Sequence, residues 1–127
     1  MEKVVIRTEA APAPFQGAPY NQAIRAGELV FVAGQLGLKP GDGAVEGDIA
    51  VQTEQVMQNL SAILDAAGSS LANLVKTTVY LVDLGDFAAM NEVYARHVGD
   101  RPPARATIEI SKLPSGALVE IEAVAHV

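Results

Sequence analysis

Residues 101–127 read RPPARATIEISKLPSGALVEIEAVAHV, and two parts of this stretch alternate between apolar and polar residues. An alternation with a period of two predicts β-strands over 104–111 and 117–127. The turn-forming residues at 112–116 predict that these strands form a hairpin. One parity is almost wholly apolar, and the other, which a hairpin would place on one side of the sheet, mixes Arg105, Thr107, Glu109, Leu118, Glu120, Glu122 and Val124.

The preceding sequence predicts six further elements. Strands are expected over 3–7, 22–25, 29–35 and 74–82, with loops over 8–20 and 39–47. One helix should begin after Asp48 and stop at Gly68, and a second should begin after Asp86 and stop at Gly99. The order is β-β-β-α-β-α-β-β, which predicts an α+β fold for residues 1–127 as a single domain. We expect one mixed sheet with both helices on one face.

Two helices cannot cover both faces of this sheet, although its middle strands are apolar on both parities, as in Leu29–Ala33. The uncovered face would leave a large apolar surface in water, and such surfaces usually mark association. The sequence therefore predicts a homo-oligomer built sheet against sheet. Burial by a neighbouring subunit would explain why Leu118 and Val124 share a face with charged residues.

Composition excludes several function classes. The formal charge is −6 and no basic patch is visible, which disfavours nucleic-acid binding. The absence of cysteine excludes disulfides and thiolate chemistry, and no stretch reaches the length of a membrane span. We expect a soluble, cytoplasmic protein with no membrane partner. His97 and His126 lack metal-ligand spacing, so no metal site is expected.

Arg105 and Glu120 form the most informative pair, since the predicted hairpin places both on the same face of adjacent strands. Arginine binds carboxylates through two parallel hydrogen bonds, and glutamate can act as a general base. The alternative is a structural ion network of Arg105 with Glu120, Glu109 or Glu122, and spacing alone favours that alternative. Asn91 lies on the apolar side of its helix, where it could simply satisfy backbone groups.

Four stretches together resemble the RidA/YjgF family of imine and enamine deaminases. They are APYNQAI (18–24), VFVAGQLGL (30–38), VKTTVYLVDLGDFAAMNEVYARHV (75–98) and RPPARATIEISKLPSGALVEIEAVA (101–125). The last is the most specific, because it joins P-x-R to V-E-I-E-A. The resemblance implies a chorismate-mutase-like fold, a homotrimer with clefts between subunits, and no metal or organic cofactor. It also implies hydrolysis of 2-imino acids and their enamine tautomers, such as 2-aminoacrylate and 2-iminobutanoate, to 2-oxo acids and ammonia.

The resemblance also implies roles for individual residues. Arg105 matches the arginine that clamps the substrate carboxylate, and Glu120 matches the acid that activates water. The remaining matches, which bind substrate or shape the cleft, are Tyr20, Gly34, Asn91 and the backbone at Thr107, with Gln35 adjoining them. Ala33 stands where the family often has serine, and Thr107 where many members have cysteine, which leaves substrate preference open. Three rivals remain: a hydrolase of another imine or acylated nitrogen, a non-catalytic sensor of 2-oxo acids, and a ribonuclease.

Overall fold

The computed structural model describes residues 1–41 and 43–127, and in these ranges the chain forms six β-strands and two α-helices. Position 42, in the predicted loop over 39–47, lies outside the described residues. The predicted order of elements is confirmed. No helix in the described ranges is both long enough and apolar enough to cross a membrane. The elements are β1 (Lys3–Ile6), β2 (Ala23–Ala26), β3 (Leu29–Leu36), α1 (Ile49–Ala66), β4 (Leu74–Leu81), α2 (Phe87–Val98), β5 (Ala104–Glu109) and β6 (Val119–His126).

The strands form one mixed sheet in the order β1-β2-β3-β6-β4-β5. β4 and β5 run parallel, and every other neighbouring pair is antiparallel. β6 lies between β3 and β4, so the predicted hairpin between the last two strands is wrong. The segment that joins them crosses β4 instead, and its residues Leu113 and Ala117 pack into a small second core with Leu36 and Leu38.

This topology separates the two charged residues that the sequence placed on one face. Thr77 of β4 is paired with Arg105 and with Ala123 of β6, and all three belong to the face that packs against the helices. Tyr80 of β4 is paired with Glu120, on the opposite face, which we call the open face. Arg105 and Glu120 therefore lie on opposite faces of the sheet and on strands that are not neighbours.

Both helices pack on one side of the sheet, as predicted, and their caps fix their ends. Asp48 accepts a hydrogen bond from the Val51 N–H at 3.0 Å and so caps the first turn of α1. Beyond the end of α1, Gly68 has a φ of +81°, which glycine adopts without strain. α2 begins after Asp86, as predicted, although the Asp86 side chain makes no capping hydrogen bond. Asp83 instead accepts from the Gly85 N–H and organises the turn before α2.

The open face of the single chain carries large apolar side chains that nothing in the described chain covers. Phe31 is 46% exposed and Ile108 is 45% exposed, and Val5 and Leu29 are exposed on the same face. The helix-facing side, by contrast, buries Val30, Val79 and Ile121 completely. The uncovered apolar surface predicted from the sequence is confirmed, and association through it stays a prediction.

Candidate functional site

Glu120 lies at the start of β6, beside an irregularity in β3. The register between β3 and β6 shifts between Val32 and Gln35, so two residues of β3, Ala33 and Gly34, lie opposite one residue of β6. This bulge brings Gly34 against the Glu120 side chain. A Cβ at position 34 would lie 2.8 Å from both Cδ and Oε1 of Glu120, which is closer than real Cβ contacts. Gly34 is thus the residue that leaves room for the carboxyl group.

A cavity of about 400 Å³ opens beside Glu120 and Gly34, and we call it the Glu120 cavity. Tyr20 lines it, and its hydroxyl oxygen accepts a hydrogen bond from the Phe15 N–H at 2.6 Å. That bond leaves the phenolic proton available to a ligand. The remaining lining residues are Pro12, Ala13, Phe15, Ala18, Gln22, Ala33, Gln35, Leu36, Leu38 and Pro114.

The carboxyl group of Glu120 is in an environment that disfavours its charged form. Partial burial raises the pKa of Glu120, and the neighbouring charge of Glu122 raises this pKa further. Tyr80, opposite Glu120 on β4, also has a raised pKa. Desolvation of its hydroxyl group is the main cause, and the charge of Glu122 contributes more than that of Glu120. A carboxyl group with a raised pKa can exchange protons closer to neutral pH, which suits general acid–base work.

Arg105 occupies the other face of the sheet, on the edge strand β5. Its guanidinium carbon lies 4.9 Å from the centroid of the Tyr94 ring and 5.6 Å from that of Phe87, so α2 holds the cation through cation–π contacts. The ion pair found in the described part of the chain joins His97 to Glu54, and Arg105 has no carboxylate partner there. Within one chain, the ion-network alternative is therefore wrong.

Glu109, one of the carboxylates considered for that network, has a structural role. It accepts a hydrogen bond from the Leu84 N–H at 2.9 Å and ties the end of β5 to the turn that precedes α2. This contact holds the start of α2, where Phe87 lies, next to β5.

The half-buried guanidinium of Arg105 keeps its hydrogen-bond donors available for a ligand.

Two polar atoms near Arg105 are buried without a partner among the described residues, namely Oδ1 of Asn91 and Oγ1 of Thr107. Asn91 lies between Phe87 and Tyr94 along α2, and Thr107 follows Arg105 on the same face of β5. The side-chain oxygen of Asn91 thus accepts no hydrogen bond from a backbone group of the described residues, which was the alternative drawn from the sequence. Buried polar atoms usually have partners, so these two oxygen atoms are free to accept a hydrogen bond.

The six residues predicted for the site therefore fall into two half-sites within one chain. Glu120, Gly34 and Tyr20 line the Glu120 cavity at the open face. The other half-site holds Arg105, Asn91 and Thr107 on the helix side of the β5 edge. The strand register prevents a small ligand from contacting Arg105 and Glu120 of the same chain at once.

Buried amides that sequence reasoning did not identify hold the walls of the Glu120 cavity. Gln22 is 3% exposed, and its amide nitrogen donates to the carbonyls of Thr8, Ala11 and Pro12 while its oxygen accepts from the Thr8 N–H. Asn59 of α1 donates to the carbonyls of Leu36 and Leu38. The signal in the sequence was a lone amide beside apolar residues, which is too common to single out. 

In the ranges 1–41 and 43–127, no group of three or more histidine, cysteine, aspartate or glutamate side chains is placed to hold a metal ion. His97 lies in the last turn of α2, and its Nε2 is 2.9 Å from Oε1 of Glu54 on α1. The imidazole of His126 forms a hydrogen bond with the backbone carbonyl of Val127. Neither histidine contributes to the two half-sites.

Comparison with known proteins gives consistent matches over nearly the whole chain. The family model described as Endoribonuclease L-PSP matches residues 8–127. A RutC family protein of Pyrococcus horikoshii is 54% identical over 125 residues, covering 98% of each chain. Reactive Intermediate Deaminase A, chloroplastic, of Arabidopsis thaliana is 45% identical over 126 residues, covering 98% of this chain and 66% of that protein.

A solved structure extends the comparison to the fold. The crystal structure of Escherichia coli TdcF with bound serine superposes with a TM-score of 0.91 at 35% identity and covers 98% of both chains. The family model, the sequence relatives and this structure agree with the resemblance drawn from the four sequence stretches. The chain belongs to the RidA/YjgF family, which includes proteins named reactive intermediate deaminases.

Proposed function

We propose that this chain, as a single domain over 1–127, hydrolyses reactive 2-imino acids and their enamine tautomers to 2-oxo acids and ammonia. The observation that carries the proposal is the unpaired guanidinium of Arg105, held over two rings beside two unpartnered polar atoms. A half-buried guanidinium whose N–H groups are unpaired can bind an anion. A carboxylate fits best, because its two oxygen atoms can accept two parallel hydrogen bonds from the planar guanidinium. No metal or organic cofactor is part of the proposal.

The two half-sites would be joined across a subunit boundary. A substrate bound through its carboxylate to Arg105 of one copy would present its imine carbon to Glu120 of the next copy. The exposed apolar residues of the open face, such as Phe31 and Ile108, would be buried by the same association. The family resemblance implies a homotrimer, in which each of three boundaries would hold one site.

The chemistry requires no covalent catalyst, because an imine carbon next to a carboxylate is already electrophilic. Arg105 would fix the carboxylate and so the position of the imine carbon. Glu120 would accept a proton from water as its oxygen adds to that carbon. Starting from the protonated imine, Glu120 would return this proton to the nitrogen of the resulting carbinolamine. Ammonia would then leave as Glu120 takes the hydroxyl proton, which yields the 2-oxo acid. The raised pKa of Glu120 supports both transfers near neutral pH.

Other functions make different predictions for the same site. A sensor of 2-oxo acids would use Arg105 for binding and would tolerate the loss of Glu120. A serine-bound relative supports the binding of small amino-acid-like ligands by this fold, without deciding between sensing and turnover. A ribonuclease would need cationic surface for phosphates, and the net charge of −6 disfavours it.

A coupled assay tests the proposal. A threonine dehydratase generates the enamine continuously, and the formation of 2-oxobutanoate is followed with wild type, Arg105→Ala and Glu120→Gln. We expect wild type to accelerate release of the 2-oxo acid, and both variants to lose at least about a hundredfold of this acceleration. Size-exclusion chromatography with light scattering checks that each variant keeps the wild-type assembly.

The outcomes separate the candidate functions. If wild type does not accelerate the reaction although it is folded and assembled, this substrate class is ruled out. If Glu120→Gln binds 2-oxobutanoate as tightly as wild type and wild type shows no turnover, the sensor interpretation is favoured. Salt-dependent binding of RNA would instead favour a nuclease.

A further inference from the structure

The walls of the Glu120 cavity offer a ligand very few polar partners. Gln22 uses its amide groups on the backbone of 8–12, as described above. Gln35 is buried, and its amide nitrogen donates to the Ala33 carbonyl at 3.1 Å. The polar side-chain groups that remain for a ligand are the Tyr20 hydroxyl, the Glu120 carboxyl group and the amide oxygen of Gln35.

Most of the remaining cavity surface is apolar. Phe15, Leu36, Leu38 and Pro114 supply most of the wall, and Ala33 adds a methyl group next to Gly34. Leu36 and Leu38 belong to the small second core, so this wall is fixed by packing and does not depend on a mobile loop. A polar group placed here would lose its water without gaining a hydrogen bond.

The cavity is also larger than the smallest imino acids require. At roughly 30 Å³ for each non-hydrogen atom, the share of a water molecule in the liquid, 2-aminoacrylate with its six such atoms occupies about 180 Å³. The imine of leucine, with nine, occupies about 270 Å³ on the same scale. The cavity of the single chain, at about 400 Å³, exceeds the volume of either molecule.

From these observations we infer that the site prefers 2-imino acids with bulky aliphatic side chains over those with methyl or polar side chains. The inference rests on the proposed function, because it assumes that the carboxylate lies on Arg105 of the neighbouring copy. The imine carbon then lies at Glu120, and the side chain extends along Phe15, Leu36 and Leu38. Burial of the aliphatic tail in this wall, away from water, supplies the discrimination.

The imines of three amino acids test the preference for bulky aliphatic side chains. An L-amino acid oxidase produces the imines of alanine, leucine and asparagine in situ, and semicarbazide trapping reports the imine that remains. Asparagine is the decisive comparison, because its side chain has nearly the shape of that of leucine but carries an amide. We expect kcat/KM for the leucine imine to exceed that for the alanine imine by at least about tenfold and that for the asparagine imine by about a hundredfold.

Two variants locate the preference in the cavity. Phe15→Ala removes part of the apolar wall and should lower the ratio of the leucine rate to the alanine rate by about tenfold. Ala33→Ser introduces a hydroxyl group and should raise the rate of the asparagine imine relative to that of leucine. Val51→Ala, at an exposed position of α1 away from this cavity, is the matched control and should leave both ratios unchanged.

Failure of the inference is distinguishable from failure of the proposed function. If no imine is consumed faster than without protein, the deaminase proposal itself fails. If all three imines are consumed at similar rates, or the alanine imine is preferred, the deaminase proposal stands and the side-chain preference is overturned. The preference is likewise overturned if both cavity variants leave the ratios at the wild-type values.

Discussion

Substitution of Gly34 by alanine tests the contact that positions Glu120. The backbone at Gly34 does not have a positive φ, so alanine is compatible with its conformation. The added Cβ would lie 2.8 Å from Cδ and Oε1 of Glu120, whereas comfortable contacts between carbon atoms are about 3.5–4.0 Å. The carboxyl group must therefore move by about 1 Å. It is the far end of a flexible side chain, so it can move without unfolding the sheet.

A displacement of this size should lower the rate of catalysis strongly and the stability of the fold only slightly. We expect Gly34→Ala to lower kcat/KM of imine hydrolysis by about a hundredfold, while the free energy of unfolding changes by less than about 2 kcal/mol. The assay is the coupled dehydratase assay, with urea denaturation of the same preparation. Full activity in Gly34→Ala would refute the argument that this glycine makes room for a catalytic carboxyl group.

A double-mutant cycle shows whether the loss passes through Glu120. If it does, Gly34→Ala combined with Glu120→Gln should be no less active than Glu120→Gln alone. If the two substitutions acted independently, their separate losses of activity would instead multiply. A combined variant that loses a further hundredfold would assign Gly34 a role unrelated to Glu120.

Three further predictions follow from the pKa shifts and the buried amides. Glu122→Gln should move the acidic limb of the pH–rate profile to lower pH, because the Glu122 charge helps to raise the pKa of Glu120. Glu120→Gln should not destabilise the protein at neutral pH: the native state holds this proton more tightly than the unfolded chain, so ionisation of Glu120 with rising pH opposes folding. Gln22→Ala should lower the free energy of unfolding in urea by about 2–4 kcal/mol, because it leaves buried backbone groups unpaired.

Matched variants serve as controls for these predictions. Glu92→Gln removes a charge from the exposed side of α2 and should leave the pH–rate profile in place. A profile that shifts equally in Glu92→Gln and Glu122→Gln would indicate a general charge effect. Gln58→Ala removes an exposed amide and should cost less than about 0.5 kcal/mol, so an equal cost at Gln22 would contradict the role given to its hydrogen bonds.

Local patterns in the sequence were sufficient to predict the element order and the helix-covered face. Alternation and helical spacing record which side of each element is buried, and burial is a local property of composition. The apolar open face was predicted in the same way, because two helices cannot cover both sides of a sheet whose middle strands are apolar on both sides.

The pairing of β5 could not be predicted, because strand register depends on non-local contacts. Turn-forming residues at 112–116 are equally compatible with a hairpin and with the crossing that occurs. This single error placed Arg105 and Glu120 on one face. The residues of the site were predicted from resemblance, whereas their division into two half-sites depends on β6 lying between β3 and β4.

The central claim is that Arg105 of one copy and Glu120 of another complete each site. The most direct test combines the two inactive variants Arg105→Ala and Glu120→Gln in mixed assemblies formed by co-expression or joint refolding. Glu120→Gln supplies an intact Arg105, and Arg105→Ala supplies an intact Glu120. If the two variants mix randomly in equal amounts, about a quarter of the subunit boundaries hold both intact residues. We therefore expect recovery of about a quarter of wild-type activity. Mixed assemblies that remain as inactive as either variant alone would contradict it.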